Sequence, residues 1–242
     1  MVDTIRERYE HILERIMRAA QAAGRNPADV QLVVVTKTHE PETVYAAIQA
    51  GAYVLGENYA EEGLEKMQTL AAMGVNMSEV RWHMIGHVQS RKAALIARHF
   101  DLIHSLDSVK LARRLSQFAG EENRILPVLL QLNVSGEESK AGLPAWDVGQ
   151  HQDTLTETVT EILNFSQLSL QGLMTLPPFF DDPARARPYF RKLQVWRERL
   201  SRQFPQVRWE HLSMGMSGDF EVAIQEGATL VRIGTAILGA RT

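Results

Sequence analysis

Lys37 is the residue whose type and position most plainly carry chemistry in this chain. It follows the run LVVVT, and alternation along a strand puts it on the same face as Val33 and Val35. If that face points into an apolar interior, desolvation weakens the ammonium form and leaves more of the amine that attacks an aldehyde carbonyl. On position alone, a solvated lysine at a strand end is the plain alternative. Arg232 comes second, flanked by Val231 and Ile233 in an otherwise apolar run. A guanidinium cannot shed its charge and must find an acceptor there. Either Asp219 or Glu221 supplies one in a structural ion pair, or the arginine donates to the ring nitrogen of a pyridine cofactor. Such a donor keeps that nitrogen unprotonated and the ring a weak electron sink.

Two short runs could hold an anion. In SMGMSGD, residues 213 to 219, Gly215 and Gly218 permit close approach of backbone N–H groups, while Ser213 and Ser217 offer hydroxyls. In RIGTAILGA, Gly234 and Thr235 offer the same chemistry at the start of a short final helix. Taken singly, each run is ordinary turn chemistry. His83 and His87 are four apart but lie at a strand end and in a loop, where that spacing does not share a helical face, and no HExxH pattern is present. No metal is expected, and His83 is read as a hydrogen-bonded wall of the pocket. Phe179 and Phe180 follow Pro177 and Pro178 and read as exposed on a loop that either covers the pocket or packs on its rim.

The rest of the composition narrows the field. With no cysteine there is neither a thiol nucleophile nor a disulfide framework, which fits the cytoplasm. A net charge of −3 gives no global attraction to nucleic acid, so a small ligand is expected instead. No run of 18 apolar residues appears, and the opening stretch MVDTIRERYEHILERI is charged throughout, so neither a membrane span nor a signal peptide is expected.

The elements that must position these residues alternate in kind. Ile5, Tyr9, Ile12, Leu13, Ile16 and Ala20 mark one face of a leading helix that Gly24, Asn26 and Pro27 end. About eight strand-like runs follow, near 32–35, 53–56, 82–85, 102–105, 125–133, 168–174, 209–214 and 229–234, separated by helical patterns. Residues 135 to 150 read as the most loop-like stretch. Such alternation predicts one α/β domain over residues 1–242, a (β/α)8 TIM barrel with an extra N-terminal helix; a doubly wound open sheet is the runner-up. Barrels carry chemistry at the carboxyl ends of their strands and often bind phosphate between the seventh and eighth loops. The unusual polar residues collect at those ends: Lys37, Glu57, Asn58, Asn133, Thr175, Ser213 and Arg232.

Lys37, GENY at 56–59, WHMIGHVQSRK at 82–92, SMGMSGD at 213–219 and RIGTAILG at 232–239 together resemble the YggS/PROSC-type pyridoxal phosphate homeostasis proteins. The resemblance spans essentially the whole chain. It implies that Lys37 holds pyridoxal 5'-phosphate as a Schiff base, and that Ser213, Met214, Ser217, Gly234 and Thr235 bind the phosphate. It further implies that Arg232 faces the pyridine nitrogen, with Asn58 and His83 lining the pocket. His87 and Arg91 depart from the family's usual proline-like residue and asparagine. The pattern NxSxExxKxG falls on Asn133, Ser135, Glu138, Lys140 and Gly142, which makes Lys140 a candidate second lysine for cofactor transit.

The same barrel is similar to the first domain of alanine racemases, so a pyridoxal-phosphate-dependent amino-acid racemase is the rival reading. Those racemases add a C-terminal β domain that delivers a second proton carrier, and only a few residues follow the eighth strand here. Racemisation needs a base on each face of the substrate carbon, and only Lys37 stands out as one. A Schiff-base aldolase lacking the cofactor is a third reading that leaves Arg232 and the anion runs unexplained. The resemblance therefore implies a cofactor carrier with no catalytic residues, expected to be a monomer or weak dimer, with pyridoxal-phosphate-dependent apoenzymes as partners.

Overall fold

The computed structural model describes residues 2–240. Its strands are β1 (Gln31–Val35), β2 (Val54–Glu57), β3 (Arg81–Met84), β4 (Leu102–Leu106), β5 (Leu126–Asn133), β6 (Leu143–Pro144), β7 (Leu168–Met174), β8 (His211–Ser213) and β9 (Leu230–Ile233). All pairings are parallel, and β4 joins β5 to close eight of the strands into a barrel. The two-residue β6 lies outside the ring, paired to the end of β5 inside the stretch that reads from sequence as loop. The helices are α1 (Val2–Ala22), α2 (Pro41–Gln49), α3 (Ala60–Ala72), α4 (Ala93–His99), α5 (Val109–Glu121), α6 (Val148–Leu163), α7 (Arg187–Gln203), α8 (Phe220–Gln225) and α9 (Thr235–Leu238). None of them among the described residues is long and apolar enough to cross a membrane.

Strand alternation divides the core into two layers. Val34, Leu55, Trp82 and Leu212 point outward and pack under the helices, where most of the buried apolar side chains lie. Val33, Leu102, Leu129, Met174 and Leu230 form a small separate cluster. The extra helix α1 buries Ile5, Ile12, Ile16, Ala19 and Ala20, a spacing of three, four and seven that makes one helical stripe. Leu13 does not share that face and stays 40% exposed. A bidentate pair from Arg15 to Glu221 ties α1 to α8, and Gly24, at a φ of 68° that side-chain-bearing residues avoid, ends its turn.

Closure places the first and last strands side by side, with Val33 opposite Arg232 and Val34 opposite Ile233. Lys37 and Gly234 therefore leave neighbouring strands. Their approach is close: a Cβ on Gly234 would sit 2.9 Å from the Val35 carbonyl oxygen. At Gly86 a Cβ would sit 2.3 Å from the Asn58 carbonyl oxygen, so glycine there lets the loops after β2 and β3 touch.

Candidate functional site

A cavity of about 370 Å³ opens at the carboxyl ends of the strands, a size that suits a small organic ligand. Lys37, Asn58, Ser217, Arg232, Gly234 and Thr235 all line it. The alternation that carries Val33 inward carries Val35 and Lys37 to the cavity wall. Three other residues that the resemblance assigns to the cofactor, Ser213, Met214 and His83, do not line it. Leu212 in β8 and Met214 just past its end point outward into the helix layer, so Met214 is buried there. Ser213, between them, points into the barrel, and His83 belongs to that interior as well.

Arg232 is 3% exposed, yet no carboxylate among the described residues lies within ion-pairing distance of it. Glu221 is engaged by Arg15, and Asp219 accepts from the Met216 N–H at 2.6 Å. Arg232 instead donates to Ser213 Oγ at 2.5 Å and to the Thr175 carbonyl oxygen at 3.0 Å. Burial lowers the guanidinium to about 10, with the nearby charge of Asp219 opposing the shift, so the group stays cationic at neutral pH. Of the two acceptors weighed from sequence, neither carboxylate is the one found.

Behind Lys37 stands a second lysine that the sequence reading missed. Lys66 is 4% exposed and donates to the Thr36 carbonyl oxygen, to Glu57 Oε1 at 2.7 Å and to Glu62 Oε1. Glu62 Oε1 also accepts from the Thr38 N–H, and Thr36 Oγ1 donates to Glu57 at 2.6 Å. One ammonium thus holds the chain on both sides of Lys37, and Thr38 adopts a φ of 59°, rare for a β-branched residue. Glu57 is wholly buried, and burial pushes its carboxyl up against the opposing pull of Lys66. In sequence, Lys66 lies in LEKMQTL and looks like one more charge on a solvated helix face. Only the packing of α3 against β2 turns it inward.

The barrel interior holds a file of polar groups below Arg232. His104 Nδ1 lies 2.7 Å from Ser213 Oγ, and His104 Nε2 lies 3.0 Å from His83 Nδ1. Burial lowers His83 to about 3 and drives His104 well below the ordinary histidine value, so both rings are neutral. His104 was also missed. Its signal was present, since LIHSL places a polar ring inside an apolar strand.

The loops beyond the rim are organised by their own side chains. Asn133 accepts from the Ser135 and Gly136 N–H groups and donates to the Glu137 and Lys140 carbonyl oxygens, which makes it the hub of the 135–142 loop. Lys140 reaches the Pro177 carbonyl oxygen at 3.2 Å but does not line the cavity. Phe179 is 83% exposed, as its loop position suggested, whereas Phe180 stacks on Tyr189 under the Arg185 guanidinium. His87 pairs with Asp107 and Arg91 with Gln89, both toward solvent.

The family model for the alanine racemase N-terminal domain matches residues 8–242. A pyridoxal phosphate homeostasis protein of Vibrio alginolyticus is 41% identical over 240 residues, covering 99% of each chain. The structure of PipY from Synechococcus elongatus, with PLP bound, superposes with a TM-score of 0.76 at 34% identity, covering 94% of this chain and all of that one. An alanine racemase from Clostridium difficile shares the fold at a TM-score of 0.66 and 14% identity, and this chain covers 56% of it.

Proposed function

This chain belongs to the pyridoxal phosphate homeostasis proteins, and on that premise we propose that it binds pyridoxal 5'-phosphate and holds it as a Schiff base on Lys37. The observation that carries the reading is the meeting, in one cavity, of a lysine amine, a buried arginine and a rim of small and hydroxyl-bearing residues. The residues fit the group. Arg232 is a buried cation whose protein partners are a hydroxyl and a carbonyl rather than a carboxylate, so a donor still faces the cavity for a pyridine nitrogen. Gly218 and Gly234 present backbone with no Cβ in the way, and Ser217 and Thr235 add hydroxyls for a phosphate.

When bound, the cofactor supplies an aldehyde and an electron-accepting ring. The chain supplies attachment and restraint. Lys37 provides the amine, Arg232 donates to the ring nitrogen without protonating it, and Asn58 forms a side wall. A ring held this way stabilises a carbanion poorly. The segment after β7 contributes Leu176, Pro178 and Phe179 to the cavity, none of which can carry a proton. A racemase needs a second base across from the first, and this wall offers none. The titratable groups that do line the cavity beside Lys37 and Arg232, His39 and Asp219, come from the loops after β1 and β8. This arrangement supports a carrier that stores the cofactor in the cytoplasm and releases it to apoenzymes. Ser213, Met214 and His83, which the resemblance assigned to the cofactor, are buried behind the cavity wall.

The test is an absorbance titration. Wild-type protein is expected to turn yellow with stoichiometric pyridoxal 5'-phosphate, and Lys37→Ala to lose that band while keeping its circular dichroism. A colourless wild-type protein would refute the assignment. Racemase turnover at enzymatic rates, lost in Lys37→Ala, would overturn the carrier part alone.

A further inference from the structure

We propose that Ser213, His104 and His83 are positioning residues: a hydrogen-bonded file of one fixed direction that orients Arg232 toward the cofactor ring. The inference rests on the cofactor reading above and deepens it, moving Ser213 from the phosphate to the opposite end of the ligand.

The direction follows from donor and acceptor counting. Arg232 has only donors, so at its contact with Ser213 the hydroxyl oxygen accepts. Ser213 is fully buried, and its other hydrogen-bond partner is His104 Nδ1, so the hydroxyl hydrogen goes there. His104 Nδ1 must then be the bare nitrogen, and a neutral imidazole carries its hydrogen on the other, Nε2. That hydrogen points at His83 Nδ1, which is bare in turn, and His83 carries its hydrogen on Nε2. His83 also lines a second, polar cavity at the amino-terminal end of the barrel, beside Arg81 and His211. Its Nε2–H has an outlet there.

Two consequences separate this file from a proton path. Arg232 cannot accept, so a proton entering at His83 has nowhere to go beyond Ser213. What the file transmits is orientation. Each donor strengthens the next, and Ser213 becomes a better acceptor for Arg232 than an isolated hydroxyl. With Nη1 fixed on Ser213 and Nη2 on the Thr175 carbonyl oxygen, the guanidinium plane is set, and its remaining donors keep one heading toward the cavity. Flanking imidazoles that stay neutral add no second cation beside the buried guanidinium.

The experiment has two arms. In the first, nitrogen-15 chemical shifts of the histidine rings are recorded at pH 7 on cofactor-free protein, assigned with His83→Asn and His104→Asn. Both rings are expected as neutral Nε2–H tautomers. A shift pattern of imidazolium, or of hydrogen on Nδ1 of His104, overturns the file whether or not any cofactor binds. In the second, pyridoxal 5'-phosphate is titrated into Ser213→Ala, His104→Leu and His104→Asn. Asparagine keeps an acceptor near the Nδ1 position and leucine does not. Leucine and the serine variant are expected to bind about tenfold more weakly, the equivalent of one good hydrogen bond, with a displaced absorbance maximum, while asparagine restores both. If the two His104 variants lose stability equally and bind with the wild-type spectrum, the positioning role falls and the cofactor reading stands. If wild-type protein fails to bind, the cofactor reading falls, and the tautomers are still decided by the first arm.

Discussion

His83 and His104 are neutral because burial in the barrel disfavours their charged forms, and this sets an acid limit on the fold. An unfolded histidine takes up its proton near pH 6.5, whereas folded His83 resists until about 3. Below pH 6.5 the unfolded chain therefore binds the proton first, so stability is full above that pH and falls as the pH drops toward 3. Urea unfolding at pH 7 and pH 5 is expected to show a loss of about 2 kcal/mol from His83 alone, at about 1.4 kcal/mol per pH unit. His104 adds to it in the same direction. His83→Asn should flatten the slope, and an unchanged slope would contradict the assignment. Lys37 and Arg232 were legible in the sequence because each breaks an apolar run at a strand end, where alternation settles which way it points. Lys66 was not. Its neighbours in sequence are those of a solvated helix, and its partners Thr36 and Glu57 are 30 and 9 residues away. His104 was visible as an odd residue, but its meaning needed Ser213, 109 residues on.

At the scale of elements, α3 reaches the site through a buried charge. Removing that charge in Lys66→Met leaves Glu57 and Glu62 uncompensated, a change expected to cost about 3–5 kcal/mol in chemical denaturation. It should also slow cofactor attachment, since Thr36 and Thr38 lose the restraint on either side of Lys37. Gly86→Ala is expected to force β2 and β3 loops apart at the Asn58 carbonyl, destabilising by about 1–3 kcal/mol. Here the readout is weaker cofactor binding in calorimetry, because Asn58 lines the cavity. The strands themselves were readable: 168–174 and 126–133 stand nearly where β-branched and aliphatic runs placed them. The pair Leu143–Pro144 was not, since two residues carry no periodicity and gain strand character only from β5 beside them. Leu13 was assigned to the buried face of α1 because it is apolar, and it lies off the stripe.

For the whole molecule, closure is what converts scattered residues into a site. The β1–β9 pairing alone brings residues 33 and 232 together across nearly the full chain, and eight alternating units in sequence predict that closure without stating which loops meet. A ligand bound only by the closed barrel must stabilise it, by about 2.7 kcal/mol at a hundredfold excess over its dissociation constant. Thermal melts with saturating pyridoxal 5'-phosphate are expected to shift upward for wild-type protein and far less for Lys37→Ala. Of all the amines of this chain, one is expected to carry the cofactor. Native protein saturated with pyridoxal 5'-phosphate, reduced with borohydride and mapped by peptide mass spectrometry, should carry a single pyridoxyl group on Lys37. A label confined to Lys140 or Lys66, or none at all, would contradict it.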